Sequence, residues 1–315
     1  MTAKDADMEI ITKNNRGKRR LAYIMGPNYS GSTLLTLLLA DHPQIATVGE
    51  LKASAMGDIN TYYCSCGEVL TDCHFWKTVQ DKMSAACHDF TFDNFNTHFR
   101  ALQNPFVDLL LRSTIRGPLL ETLRAIGFVL SPTAQATRRA IILQNQTIID
   151  IICNLQQAEN FLDDSKEPIR LQYLLKANLW DIRTIQLIRD GRGVANSFMR
   201  HNKTTMSQAA RQWLHTQREC DRMARLLGKS RCLTIYYEDL CQEPASTLLS
   251  IYNFLNLATE TITSQRTKHI MGNQMRLGSL KDIRLDEKWK HALSVDDLEI
   301  FNQTAGELNH LHGYQ

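Results

Sequence analysis

The chain is 315 residues long, 43% hydrophobic and 22% charged, and its 36 Lys+Arg against 33 Asp+Glu leave a net charge of +3. That composition excludes a disordered tail, a collagen, a coiled coil and a membrane channel. The charge is too balanced for a protein that coats nucleic acid, though it leaves room for a local anion site.

Length predicts about two domains or one large α/β domain, with a core that needs neither disulfides nor metal to fold. Residues 1–20 read as a lead-in of mixed charge ending in Arg16-Gly17-Lys18-Arg19-Arg20. It lacks the apolar run of a signal peptide, and a solvated approach to the first strand is expected of it. The most apolar stretch, Leu34–Ala40, is seven residues long, against the roughly 20 needed to span a bilayer. A cytoplasmic protein without membrane or nucleic-acid partners is therefore expected. Its eight cysteines, at 64, 66, 73, 87, 153, 220, 232 and 241, are then expected as reduced thiols or metal ligands rather than disulfides.

The apolar run 21–25 stops at the turn cluster Gly26-Pro27-Asn28, and Ser32-Thr33 opens an apolar helix over Leu34–Ala40. Strand, glycine-containing loop and helix in that order open a parallel α/β sheet. The same grammar returns three times. A strand end at Phe161–Asp164 precedes a helix over Ile169–Ala177; a strand over Arg183–Ile188 precedes a helix over Gly191–His201; a strand over Arg231–Tyr236 precedes a helix over Ala245–Leu255. Between the last two units, Met206–Leu227 reads as a long amphipathic helix stopped by Gly228. Residues 90–160 lack strand signals, and Ala134, Ile141, Ile148, Ile152 and Leu155 recur at helical spacing. The expected architecture is one elaborated domain over 21–315. It is a three-layer α/β/α fold of the P-loop type, with a central parallel sheet and a helical insertion at about 80–158.

Gly26-Pro-Asn-Tyr-Ser-Gly31-Ser32-Thr33 has the G-x4-G spacing of a phosphate loop, with Ser32 where an NTPase has the lysine that meets a triphosphate. Backbone N–H groups at a helix N-terminus remain to cradle an anion. Farther on, the strand ending at Ile188 delivers Arg189, and Ser197 follows about two turns into the next helix. This places a second anion clamp at the carboxyl edge of the sheet. Asp163-Asp164-Ser165-Lys166 brings Lys166 to the same edge. Two separated anion sites, at 29–33 and 189–197, imply a nucleotide phosphorylated at both ends. Cys64, Cys66, Cys73 and His74 together form a zinc ligand set by type, with irregular spacing. Reduced packing residues and a redox-labile cysteine pair are the alternatives.

With these segments in order, the sequence resembles the sulfotransferases that use 3′-phosphoadenosine 5′-phosphosulfate (PAPS) as donor. It is most similar to their soluble bacterial branch, related to the tyrosylprotein sulfotransferases. Ser30-Gly-Ser-Thr-Leu-Leu with Asp41-His42-Pro43 and Gly49-Glu50-Leu51 resembles the family's phosphosulfate loop and the segment after it. Asp164-Ser-Lys166-Glu-Pro168 resembles its central lysine segment, and Arg189-Asp-Gly-Arg-Gly-Val-Ala-Asn-Ser197 its 3′-phosphate segment. Tyr237-Glu-Asp-Leu240 resembles the strand whose tyrosine lies near the adenine. His269-Ile-Met-Gly272-Asn273-Gln-Met-Arg276 resembles the loop whose basic residue closes over the nucleotide.

The resemblance implies PAPS as co-substrate, held by Tyr29, Ser30, Gly31, Ser32, Thr33, Arg189, Ser197, Tyr237 and Arg276. It implies Lys166 at the bridging oxygen of the leaving nucleotide and Glu50 as base toward a hydroxyl or amine of a small-molecule acceptor. His201 and His269 are the other candidate bases, and no metal is needed for the transfer because the donor is already activated. The family's basic residue before Ser-Gly is Tyr29 here, so either Lys166 and backbone amides carry that charge, or another residue substitutes. A P-loop small-molecule kinase and a non-catalytic nucleotide-binding protein are the alternatives.

Overall fold

The computed structural model describes residues 17–53, 56–111, 118–259, 267–278 and 283–315; most of the expected lead-in, residues 1–16, lies outside them. Five strands form one wholly parallel sheet: β1 (Arg20–Met25), β2 (Ile45–Thr47), β3 (Asn160–Lys166), β4 (Asp181–Ile188) and β5 (Cys232–Tyr236), in the order β2-β3-β1-β4-β5. Alternation along β1 supplies both faces. Leu21, Tyr23 and Met25 enter one apolar cluster, and Ala22 and Ile24 enter the other. A parallel sheet must be covered on both sides, and it is.

Helix α1 (Ser32–Leu39) connects β1 to β2 and packs into the second cluster through Leu34, Leu35 and Leu39. The expected insertion begins earlier than residue 80. It comprises α2 (His74–Ala85), α3 (Pro105–Leu111), α4 (Pro118–Leu130) and α5 (Pro132–Leu155), and Trp76, Leu110 and Ile148 join the first cluster. The connection from β3 to β4 is α6 (Pro168–Ala177). That from β4 to β5 is α7 (Gly191–Asn202) with α8 (Met206–Leu227), whose Cys220 and Met223 also enter the first cluster. Thr205 and Gln208 close a capping box at the start of α8.

Tyr237 corrects one expectation: β5 ends at Tyr236, and Tyr237 opens the short helix α9 (Tyr237–Gln242). Helix α10 (Pro244–Leu255), a 3₁₀ turn (Gln274–Leu277), the one-turn α11 (Trp289–Ala292) and α12 (Val295–Leu311) complete the described elements. Among the described residues, no helix is long and apolar enough to cross a membrane.

The chain leaves β1 toward β2 over one face and leaves β4 toward β5 over the other. The sheet therefore has its topological switch between β1 and β4, and ligands sit in the crevice outside the carboxyl ends of such strands. All seven residues of β3 are buried, four of them Asp163, Asp164, Ser165 and Lys166. Asp163 is satisfied by the Ser165 backbone N–H at 3.0 Å and by Arg170 Nε at 3.0 Å. Arg170 also donates to Thr97 O at 2.7 Å and to Asn145 Oδ1 at 2.6 Å. Both charged side chains of this pair are fully buried, and they lock the end of β3 to the helical insertion. Arg170→Ala would leave the Asp163 charge buried and unpaired, a loss of about 3–5 kcal/mol. Urea unfolding of the variant measures it; a change below about 1 kcal/mol contradicts a structural role for the pair.

Candidate active site

At the carboxyl end of β1 the chain turns through Tyr29, at φ 67°, and Gly31, at φ 93°. Gly31 caps α1 without any side-chain hydrogen bond to the helix. A Cβ there would stand 2.3 Å from Cδ2 of Tyr237, so both the backbone angle and the close approach require glycine. Beside it, the buried Ser30 hydroxyl has no hydrogen-bond partner. An uncapped helix start, a glycine hinge and an orphaned hydroxyl are what an anion-binding turn offers.

Lys166, the last residue of β3, is 5% exposed and sits at φ 67°. Its ammonium pairs with Glu50 Oε1 and donates to Asp164 O at 3.2 Å, with Asp164 Oδ1 at 3.7 Å. Burial alone would lower the Lys166 pKa, but Asp164 and Glu50 together hold it above the ordinary lysine range. Asp164 is pushed up to about 6 by burial, against the pull of Lys166 and of the Ser32 and Thr36 hydroxyls. Glu50 lies in the segment after β2, against Gly272, where a Cβ would stand 3.4 Å from Glu50 Oε1. Sequences 116 residues apart thus form one charge cluster at the sheet edge.

Lys52 was not singled out by sequence reasoning, yet it belongs to this site. Its backbone N–H donates to Ser165 Oγ at 3.0 Å and its ammonium to Glu167 Oε1 at 3.0 Å. His98 Nε2 lies 3.7 Å from the other oxygen of Glu167. Burial opposes the Glu167 charge, but His98 and Lys52 hold its carboxyl down at about 2. Lys52 and Lys166 both line a cavity of about 150 Å³, closed by Asn28, Phe198, Trp213 and His215. The spacing Glu50-x-Lys52 after a phosphate loop was the available signal.

The corner between β1 and β4 holds the second anion segment. Arg189 donates to Tyr29 O and Asp286 O, each at 2.9 Å, and its guanidinium lies 4.4 Å over the Tyr237 ring. Asp190 caps α7 by accepting the Arg192 N–H at 2.9 Å, so Asp190 serves the helix and Arg189 stays aimed at the phosphate loop. Burial pushes the Tyr237 hydroxyl up to about 12. Its ring, wedged between Gly31 and Arg189, joins the two segments. Ser197 is half-buried on α7. Ser32 is buried and Thr33 half-buried in the first turn of α1.

Three further candidate residues make contacts of their own. Tyr29 presents its carbonyl to Arg189, while its ring stacks on His201 at 5.0 Å, and its hydroxyl accepts from Asn202 at 3.2 Å. The side chain thus packs on α7 rather than replacing a cation. Arg276 is occupied by Tyr63 O at 2.7 Å and by Gly272 O, and covers the Tyr62 ring at 4.3 Å. It borders the Glu50 side of the site and is not part of the Arg189 corner. His74 opens α2 with an exposed side chain; the imidazole beside Cys64 and Cys73 is that of His269.

The profile of a family described as "Sulfotransferase family" matches residues 22–261. The fold is similar to the sulfotransferase domain of the olefin synthase of Synechococcus PCC 7002, at 20% identity over 93% of this chain and 97% of that one, with a TM-score of 0.50. A sulfotransferase of Mycobacterium avium aligns at 13% identity over 96% of this chain and 79% of that one, with a TM-score of 0.47. No curated protein matches the sequence.

The raised Asp164 pKa has a stability consequence. The native state binds this proton more tightly than the unfolded chain, so stability falls as pH rises from about 4 to about 6. Asp164→Asn removes that loss. The Tm difference between variant and parent is expected to grow in the variant's favour across this window and then level off; a difference that is flat with pH contradicts the assignment.

Proposed function

The chain belongs to the sulfotransferase family, and from that premise we propose that it moves the sulfuryl group of PAPS to a hydroxyl, or an amine, of a small-molecule acceptor. The observation that carries this reading is the buried Lys166–Glu50 pair at the mouth of an uncapped helix, within reach of a second anion corner around Arg189. The two halves suit a nucleotide with charge at both ends. On this reading residues 21–315 act as one unit.

Sulfuryl transfer proceeds by in-line attack through a loose transition state, so the protein mainly positions the reactants and neutralises charge. The N–H groups at the start of α1, with Ser30, Ser32 and Thr33, would hold the phosphosulfate. Arg189, with Ser197, would hold the 3′-phosphate, and Tyr237 would flank the adenosine. Lys166 would neutralise the bridging oxygen as charge builds on it. That ammonium cannot serve two partners at full strength. As it is drawn to the leaving oxygen, the Glu50 carboxylate is released to take the acceptor proton. Lys52, a residue of the same cavity whose ammonium is held by Glu167, would supply the cation that Tyr29 does not once it turns from that partner. Arg276 would act through the wall beside Glu50.

Two measurements test the reading. Adenosine 3′,5′-bisphosphate is expected to raise the Tm and ATP–Mg²⁺ to leave it unchanged; the reverse pattern would make the protein a kinase, and no shift with either would make it neither. Glu50→Gln is expected to lower turnover by about 10²–10⁴-fold while leaving bisphosphate affinity nearly intact. Full activity in that variant removes Glu50 from the chemistry.

A further inference from the structure

Three thiols and one imidazole converge on a point outside the nucleotide cleft. Cys64 Sγ lies 3.6 Å and Cys73 Sγ 3.4 Å from the same atom, His269 Nδ1, and Cys66 Sγ lies 3.6 Å from Cys73 Sγ. All four atoms are within 4.8 Å of one another. A tetrahedral zinc with bonds of about 2.3 Å to sulfur and about 2.0–2.1 Å to nitrogen sets its ligand atoms about 3.5–3.8 Å apart. The observed contacts fall close to that range.

Thiol–imidazole hydrogen bonding does not account for the arrangement. Nδ1 has one in-plane position, for a lone pair or a proton, and two sulfurs address it together. One cation at the centre satisfies all four groups. Three thiolates and one imidazole gathered this closely select Zn²⁺ over the hard cations Mg²⁺ and Ca²⁺. We propose that Cys64, Cys66, Cys73 and His269 bind one structural Zn²⁺ ion.

The surrounding chain is built to present these atoms. Cys64-Ser-Cys66-Gly67 turns through Gly67 at φ 95°, and the Gly67 N–H returns to Cys64 O at 3.0 Å. Cys73 occupies the N-cap of α2, the positive end of the helix, which suits a thiolate ligand. The His269 ring stacks on Phe75 with centroids 4.3 Å apart and planes 4° from parallel, which fixes the direction of Nδ1. No open coordination position is left, as in zinc sites that stabilise rather than catalyse.

The ion would staple segment 62–73 to segment 268–276. Parallel ties already run between them: Ser65 Oγ donates to Lys268 O at 2.7 Å, and the Gly272 N–H donates to Tyr62 Oη at 2.7 Å. The second segment then reaches the sheet, where the Met271 N–H donates to Val48 O at 2.8 Å and Gly272 lies against Glu50. Zinc would thus hold the wall beside Glu50 without touching it.

Elemental analysis of the full chain, purified without an affinity tag, is expected to show about one equivalent of zinc. Exchange for Co²⁺ should give the visible d–d bands of a tetrahedral thiolate site. His269→Gln and Cys66→Ser should each lose the metal or the tetrahedral spectrum, and His74→Gln should keep both. Should a variant fail to fold, metal release from the parent chain under thiol-alkylating reagent provides the same test without a substitution. Absence of zinc together with no cobalt uptake overturns the site. So does a metal content and tetrahedral cobalt spectrum both unchanged by His269→Gln, or an intact mass two hydrogens light from a disulfide.

Discussion

An ammonium group buried to 5% exposure must be paired, since an uncompensated charge in the interior costs several kcal/mol. Lys166 meets that demand with two carboxyls, Glu50 from the segment after β2 and Asp164 from its own strand. Much of the neighbourhood serves to keep them there. Asp163 and Arg170 anchor the end of β3 to the insertion, so Lys166 can occupy its left-handed backbone conformation at φ 67°. Gly272, at φ 111°, packs against Glu50. With both carboxyls ionised the cluster is net negative by one.

The sheet order explains why Arg189 faces the glycine turn after β1. Because β1 and β4 are neighbours that send their chains to opposite faces, the loops after them meet without an intervening helix. Arg189 reaches across that gap to the Tyr29 carbonyl, and Tyr237 fills the space beneath, against Gly31. The separation of the two turns is therefore set by strand spacing and by the Arg189 guanidinium held on the Tyr29 carbonyl. Such preorganisation is what transfer of a charged group demands.

The repeated strand–loop–helix grammar was readable because each unit pairs a continuous apolar run with a turn and a helical stripe. Met206–Leu227 was legible to both ends, bounded by Thr205 and Gly228. Strand β2 was not, since three residues are too few to show a period. The terminal helix α12 carries a readable start, the Ser294–Asp297 capping box, but has no strand directly before it to complete a unit. At the site, Lys166 and Arg189 were legible from the strands that end beside them and Ser30 from its glycine turn, whereas Glu50 rested on the family resemblance alone. His269 could not be matched to the thiols, because 196 residues separate it from Cys73 and only the fold joins them. The adjacent His74 was the misleading neighbour: a residue next to an N-cap cysteine points away with the helix. Arg276 was readable as basic, but not as a clamp on Tyr63 and Gly272.

In the proposed function, two separated cations, Lys166 and Arg189, grip one nucleotide at its two ends. Calorimetric titration of adenosine 3′,5′-bisphosphate into the parent chain, Lys166→Ala and Arg189→Ala tests it most directly. Each substitution removes a charge-assisted contact and is expected to weaken binding by about ten- to a hundredfold. Unchanged affinity in both variants would contradict the account.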